Sequence, residues 1–141
     1  MSEASVIYES DYVAWATNQS QMIKQGNFSE LDIEHLADEV FCLGNSERNK
    51  LESHLAIWLM HQLKIIYQPE KHTKSWDLSI KNAKYQFFRC LKKNPSLKAE
   101  LADTLEGAYH IARWRALDET GLFEQEIPEE CVFNLDDLLK E

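Results

Sequence analysis

Only seven of the 141 residues are glycine or proline, four and three respectively, and that scarcity limits the available folds more than any other feature. A β sandwich needs a turn every ~8–12 residues, and turns draw heavily on these two types. The breaks also fall between stretches whose apolar residues recur at helical spacing. Pro69 and Pro95 each end such a stretch, because proline lacks the N–H that a continuing helix requires. The pattern therefore predicts an all-α fold, a small antiparallel helical bundle in a single domain over residues 1–141 with its core from about 8 to 139. With 44% hydrophobic residues, the chain has enough apolar surface to fold without a disulfide or metal.

The helices can be placed from their stripes and caps. A first runs from about Asp11 to Lys24, with Ser10 as N-cap, Gly26 as stop and an apolar face of Tyr12, Trp15, Ala16, Met22 and Ile23. Ser29 with Asp32 suggests a cap for the second, whose stripe is Leu36, Ala37, Val40 and Leu43. Gly44-Asn45-Ser46 then marks a kink or a turn. Leu51, Leu55, Trp58, Leu59, Leu63 and Ile66 carry the stripe on to Pro69, so the expectation is one long kinked second helix. The third helix spans about Trp76 to Lys93 after an N-cap at Ser75. The fourth spans about Leu97 to Glu119, capped by Ser96 and stopped by Gly121. Asn134 with Asp137 predicts a short C-terminal helix through Leu139. The tryptophans Trp15, Trp58, Trp76 and Trp114 read as core or half-core aromatics.

Charge is segregated. Residues 1–63 hold ten acids and three bases, net −7, and residues 118–141 hold nine acids and one base, net −8. Between them, residues 64–93 hold eight bases and two acids, net +6. Such a basic block meets either nucleic acid or acidic protein surface. The reading favoured here is complementation of acidic surface within the protein or its oligomer. Cys42, Cys90 and Cys131 have neither metal spacing nor an even count, and they read as reduced core thiols in a reducing compartment. The start MSEASVIYESD has no basic and apolar leader pattern, and the longest purely apolar run is Leu55 to Met60. The expectation is a cytoplasmic protein without a membrane span.

Several segments occur in an order that resembles a known family. They are Tyr8 to Trp15 (YESDYVAW), Leu36 to Arg48 (LADEVFCLGNSER), His61 with Lys64, Tyr67-Gln68-Pro69, and Ser75-Trp76. Pro95-Ser96-Leu97, Tyr109 with Ala112-Arg113, Thr120-Gly121-Leu122 and Pro128 to Cys131 complete the set. Together they are similar to the bacterial, largely cyanobacterial and proteobacterial family named domain of unknown function 29, over about Tyr8 to Leu139. The resemblance implies an all-α fold and a bacterial cytoplasm. It supplies no activity, cofactor or catalytic residues. One departure is Lys71-His72-Thr73-Lys74, where arginines would be expected.

No phosphate-cradling glycine loop, nucleophile elbow, HExxH or EF-hand sequence is present, so a site would have to be assembled from separate helices. Glu47, His54 and His61 recur every seven residues. Seven residues rise ~10.5 Å, too far for three ligands of one zinc ion, and no metal or cofactor is expected. Pairing antiparallel helices across Pro69–Ser75 and Asn94–Pro95 brings His61, Lys64, Glu106, Tyr109, His110 and Arg113 to one level, with Trp76 placed to stack on Arg113. Those residue types suit a structural polar network, acid–base catalysis or ligand or metal binding. In the third helix Tyr85, Phe87 and Phe88 interleave with Lys81, Lys84, Arg89, Lys92 and Lys93, a pattern that suits single-stranded nucleic acid. The function these features favour is a helical binding or assembly module with a protein partner or a second copy and no catalysis. A nucleic-acid-acting or nuclease-like protein is the alternative.

Overall fold

The computed structural model describes residues 3–140. Among them are six α-helices and no strand: α1 (Glu3–Ser10), α2 (Tyr12–Lys24), α3 (Ile33–Tyr67), α4 (Lys74–Lys93), α5 (Leu101–Thr120) and α6 (Leu135–Leu139). The all-α expectation holds. Contacts divide the chain into two compact units, Met1–Asn45 and Ser46–Glu141. No helix is long and apolar enough to cross a membrane among the described residues.

In the first unit, α1 was not anticipated, since its eight residues carry neither a cap nor a recognisable stripe. The cap of α2 is Asp11 rather than Ser10, its carboxylate accepting from the Ala14 amide at 3.0 Å. Ser29 does not cap the long helix. It lies in a 3-10 turn, Phe28–Glu30. Asp32 takes that role, its carboxylate accepting from the His35 amide at 3.4 Å and its carbonyl from the Leu36 amide at 2.9 Å. From there α3 continues through Gly44 as one element of 35 residues.

The stripe assigned to the core before Gly44 is not sealed. Val40 is 65% and Leu43 70% exposed, and the buried residues of α3 begin only at Leu51. Cys42, expected in the core, is exposed for the same reason. Tyr12, Ile23 and Trp114 also prove exposed.

The second unit contains the main core. Leu51, Leu55, Trp58, Leu59 and Leu63 of α3 meet Ile80, Ala83, Phe87 and Leu91 of α4, and Leu105, Ala108, Tyr109 and Ala112 of α5. Thr73, not Ser75, caps α4 through the Trp76 amide. Ser96 caps nothing. Residues Pro95–Glu100 form a 3-10 segment that delays α5 until Leu101. Gly121 ends α5 in the left-handed region at φ 72°, where only glycine avoids a Cβ penalty. Asn134 caps α6 at the Asp137 amide as the sequence predicted.

Candidate functional site

The densest polar constellation lies in the first unit, and sequence reasoning passed over it. Tyr8, Tyr12 and Trp15 come at spacings of four and three, and so do Glu39, His35 and Asp32 read backwards. Tyr12 and Trp15 share one face of α2, and His35 and Glu39 one face of α3; Tyr8 comes from the end of α1 and Asp32 from the residue just before α3. The structure apposes the two sets. Tyr8 and Tyr12 each donate a phenolic hydrogen bond to a different oxygen of Glu39, the Tyr8 bond at 2.7 Å. Trp15 Nε1 donates to Asp32 Oδ2 at 2.9 Å, and His35 Nδ1 lies 2.7 Å from the same oxygen. The Tyr8 ring stacks on the His35 ring at 3.9 Å between centroids and meets Trp15 edge-on at 4.7 Å. Beneath them Gln19, 1% exposed, accepts from the Asp32 amide at 2.8 Å. Its amide nitrogen has no partner among the described residues.

These contacts shift the titrations of the cluster. The Tyr8 phenol is pushed up to about 12, chiefly because Glu39 accepts its proton in a hydrogen bond. The same two bonds, Tyr12's foremost, hold Glu39 below the usual carboxylate range. For Asp32, burial pushes upward, but the bonds from His35 and Trp15 outweigh it and the net shift is down. His35 is raised, mainly by its bond to Asp32. The result is an Asp32–His35 pair in which each partner favours the other's charged form, beside a Glu39 carboxylate that holds two phenols in their protonated form. Both Glu39 oxygens and the shared Asp32 oxygen are occupied internally, so the cluster acts as a clamp between the α1–α2 aromatics and the start of α3.

The aromatic half of this clamp is the segment Tyr8 to Trp15, and its acidic half runs into Leu36 to Arg48. These are the two N-terminal segments on which the family resemblance rests. A family model, domain of unknown function DUF29, matches residues 7–141. The chain belongs to the DUF29 family. No match was found among curated proteins or among solved structures.

In this DUF29 chain the six residues expected at one level of the bundle do not form one network: Lys64 pairs with the end of α5, while Tyr109 and Arg113 hold the loop that follows it. Lys64, buried, reaches Glu119 at 3.4 Å and sits 4.5 Å over the Trp76 ring. Trp76 thus takes Lys64, and Arg113 instead lies over Trp114. His61 is depressed by burial and by Lys64, and its buried Nδ1 has no partner among the described residues. Tyr109 donates to the Pro128 carbonyl at 2.6 Å. Arg113 donates to the carbonyls of Ile127 at 3.0 Å and Glu124 at 2.8 Å. Glu106 and His110 are exposed.

The register explains the separation. Arg48 pairs with Glu100, Glu52 abuts Gly107 and Lys64 pairs with Glu119. Extending that progression sets His61 near the level of Ala116, about ten residues or ~15 Å beyond Glu106 along the axis. The 3-10 segment at Pro95–Glu100 absorbs residues that the sequence pattern assigns to helix, and this shifts the alignment of α5.

The basic residues of α4 do share a face. Lys84, Tyr85, Phe88, Arg89 and Lys92 line a hollow of ≈ 580 Å³. A second hollow of ≈ 240 Å³ includes Arg89, Lys93, Lys50, His54 and Glu47. Burial and Lys50 hold His54 below its ordinary value. Cys90 lines this second hollow too, but its thiol is raised, first by burial and then by Glu47, so it is a poor nucleophile. No group of three or more His, Cys, Asp or Glu among the described residues is arranged to hold a metal ion.

Proposed function

We propose that this DUF29 protein is a helical assembly module that docks a partner helix on the N-terminal part of α3. The observation that carries this reading is the exposed apolar face of α3 beside the clamp. At about 100° per residue, Leu43, Leu36, Val40, Ile33, Ala37 and Phe41 span an arc of roughly 160°. Asp32, His35 and Glu39 fall outside it. Ile33, Val40, Phe41 and Leu43 are each 64–70% exposed, an apolar run of the kind that marks interaction surfaces. An amphipathic helix laid along such a stripe is a recurrent recognition mode.

Charge selects the partner. Residues 1–45 hold eight acids and one base; Glu34 and Asp38 lie beyond the Phe41 edge of the arc, and Asp32 and Glu39 beyond its Leu43 edge. A helix with an apolar face and basic edges complements it, whereas two copies of the same acidic face repel. Isothermal titration with two synthetic amphipathic helices, both leucine-faced, one flanked by lysine and one by glutamate, tests the reading. The lysine peptide should bind the wild type and lose at least tenfold in affinity to Val40→Glu. Equal binding of both peptides, or no effect of Val40→Glu, overturns it. A stable dimer in sedimentation velocity that Val40→Glu dissociates would give the arc to a second copy instead.

A further inference from the structure

We infer that the exposed face of α4 is a binding site for single-stranded nucleic acid, independent of the assembly reading above. At about 100° per residue, Tyr85 lies at the centre of that face, with Lys81, Lys92 and Arg89 within roughly 40° of it. Phe88, Lys93 and Lys84 flank them. The core residues Ile80, Ala83, Phe87, Cys90 and Leu91 occupy the other side and are buried. The face is therefore a separate surface and not a leaky edge of the core.

The two hollows share Arg89 and differ in chemistry. In the first, Tyr85 is 62% exposed, and Phe88 forms a half-buried floor held by Phe87 and Trp58. An aromatic ring open to solvent among cations is a stacking platform for a base. In the second, Arg89, Lys93 and Lys50 oppose a single carboxylate, Glu47, which is already bonded to Lys50 at 3.2 Å and to Asn94 at 3.0 Å. That hollow retains a net positive charge suited to a phosphate. A base in one and its neighbouring phosphate in the other is the repeat of a single strand, which a duplex with its bases stacked inside cannot present.

The use of the basic block within the fold supports this. Lys64 and Lys93 pair with carboxylates of this chain, Glu119 and Glu47. Among the described residues Lys81, Arg89 and Lys92 form no ion pair. Internal complementation therefore leaves these three cations beside Tyr85 available. In a chain of net charge −9, a long polyanion would be repelled from most of the surface, so binding is confined to a few nucleotides.

Fluorescence anisotropy with labelled oligothymidylate and oligouridylate 12-mers, and with a duplex of equal length, tests the assignment. The single strands should bind at low salt and weaken as salt rises. Tyr85→Ala should weaken binding roughly tenfold with the salt slope unchanged. Arg89→Gln with Lys92→Gln should flatten the slope by about 0.7 for each phosphate no longer neutralised. All three side chains are exposed, so circular dichroism melts should match the wild type. The assignment is overturned if neither single strand binds at low salt, or if the duplex binds equally well. It is also overturned if polyglutamate displaces the strands as efficiently as unlabelled oligonucleotide, or if Tyr85→Ala leaves affinity unchanged.

Discussion

Individual side chains in this protein are tuned by hydrogen-bond partners at some positions and by burial at others. The three histidines His35, His54 and His61 should titrate in a fixed order, His35 above the ordinary value of ~6.5 and the other two below it. Proton resonances of the imidazole rings measure this directly, and Asp32→Asn should return His35 toward the unperturbed value. The sign of the stability effect follows. A raised histidine stabilises the fold fully below its unfolded value, and that contribution is lost as pH rises through the folded one. A lowered aspartate stabilises above its unfolded value of ~3.9 and loses that as pH falls through the folded one. The clamp should therefore be firmest between about pH 4 and 6.5. Thermal melts followed by Trp15 fluorescence should show the alkaline decline, and His35→Gln should flatten it. Arg113 offers a second test, since its guanidinium holds two carbonyls of the C-terminal loop from a buried position. Arg113→Met leaves those carbonyls short of a donor and should cost about 2–3 kcal/mol in chemical denaturation. The clamp could have been read from YESDYVAW and LDIEHLADE, where matched spacings of four and three sit on both sides. It was missed because aromatics at helical spacing read equally well as core, and nothing local says which acids they will meet.

At the scale of the element, α3 is one helix in two environments. From Leu51 to Leu63 its apolar stripe is sealed, whereas Ile66, expected to carry it on to Pro69, is 49% exposed; before Gly44 it is open. Two leucine truncations should separate these halves. Leu59→Ala, at 0% exposure, removes a packed side chain and leaves a cavity, so urea unfolding should report a loss of about 2–5 kcal/mol. Leu43→Ala, at 70% exposure, should stay within about 0.5 kcal/mol. The existence and order of α2 to α6 were legible because Pro69, Pro95 and Gly121 stand where helices must stop. The periodicity of 51–63 and 80–91 also admits no other element. Burial was less legible. Val40 and Leu43 have the same spacing as Leu51 and Leu55, and hydrophobic periodicity marks a face without saying whether anything covers it. Register failed for a different reason. A 3-10 turn rises ~2.0 Å per residue with three residues per turn, and proline at position 95 followed by Ser96 reads as a helix start. The six residues to Glu100 therefore belong to the turn and not to α5, which begins only at Leu101, and the levels assigned to α5 move toward its C-terminal end.

For the whole molecule, the charge blocks were the most legible feature, and the structure shows how part of them is used. Lys64 and Lys93 neutralise Glu119 and Glu47 inside the second unit, and the acid-rich first unit contributes Asp32 and Glu39 to its own clamp. Native-state hydrogen exchange should rank the units. Amides of Leu55, Leu59 and Ala112, buried at 0% exposure, should exchange most slowly. Those of Val40 and Leu43 should exchange orders of magnitude faster, because opening there exposes little apolar surface. The placement of the tryptophans also has an optical consequence. Trp15 and Trp58 are each sealed, at 2% and 1% exposure, one in each unit, while Trp114 lies half open. Trp15 carries its indole proton on a carboxylate, whereas the indole nitrogen of Trp58 meets no acceptor among the described residues. Trp58 should emit furthest to the blue and Trp114 furthest to the red. A chain retaining Trp15 alone and another retaining Trp58 alone would then act as two separate lamps, each dimming or shifting only when its own half of the protein comes apart.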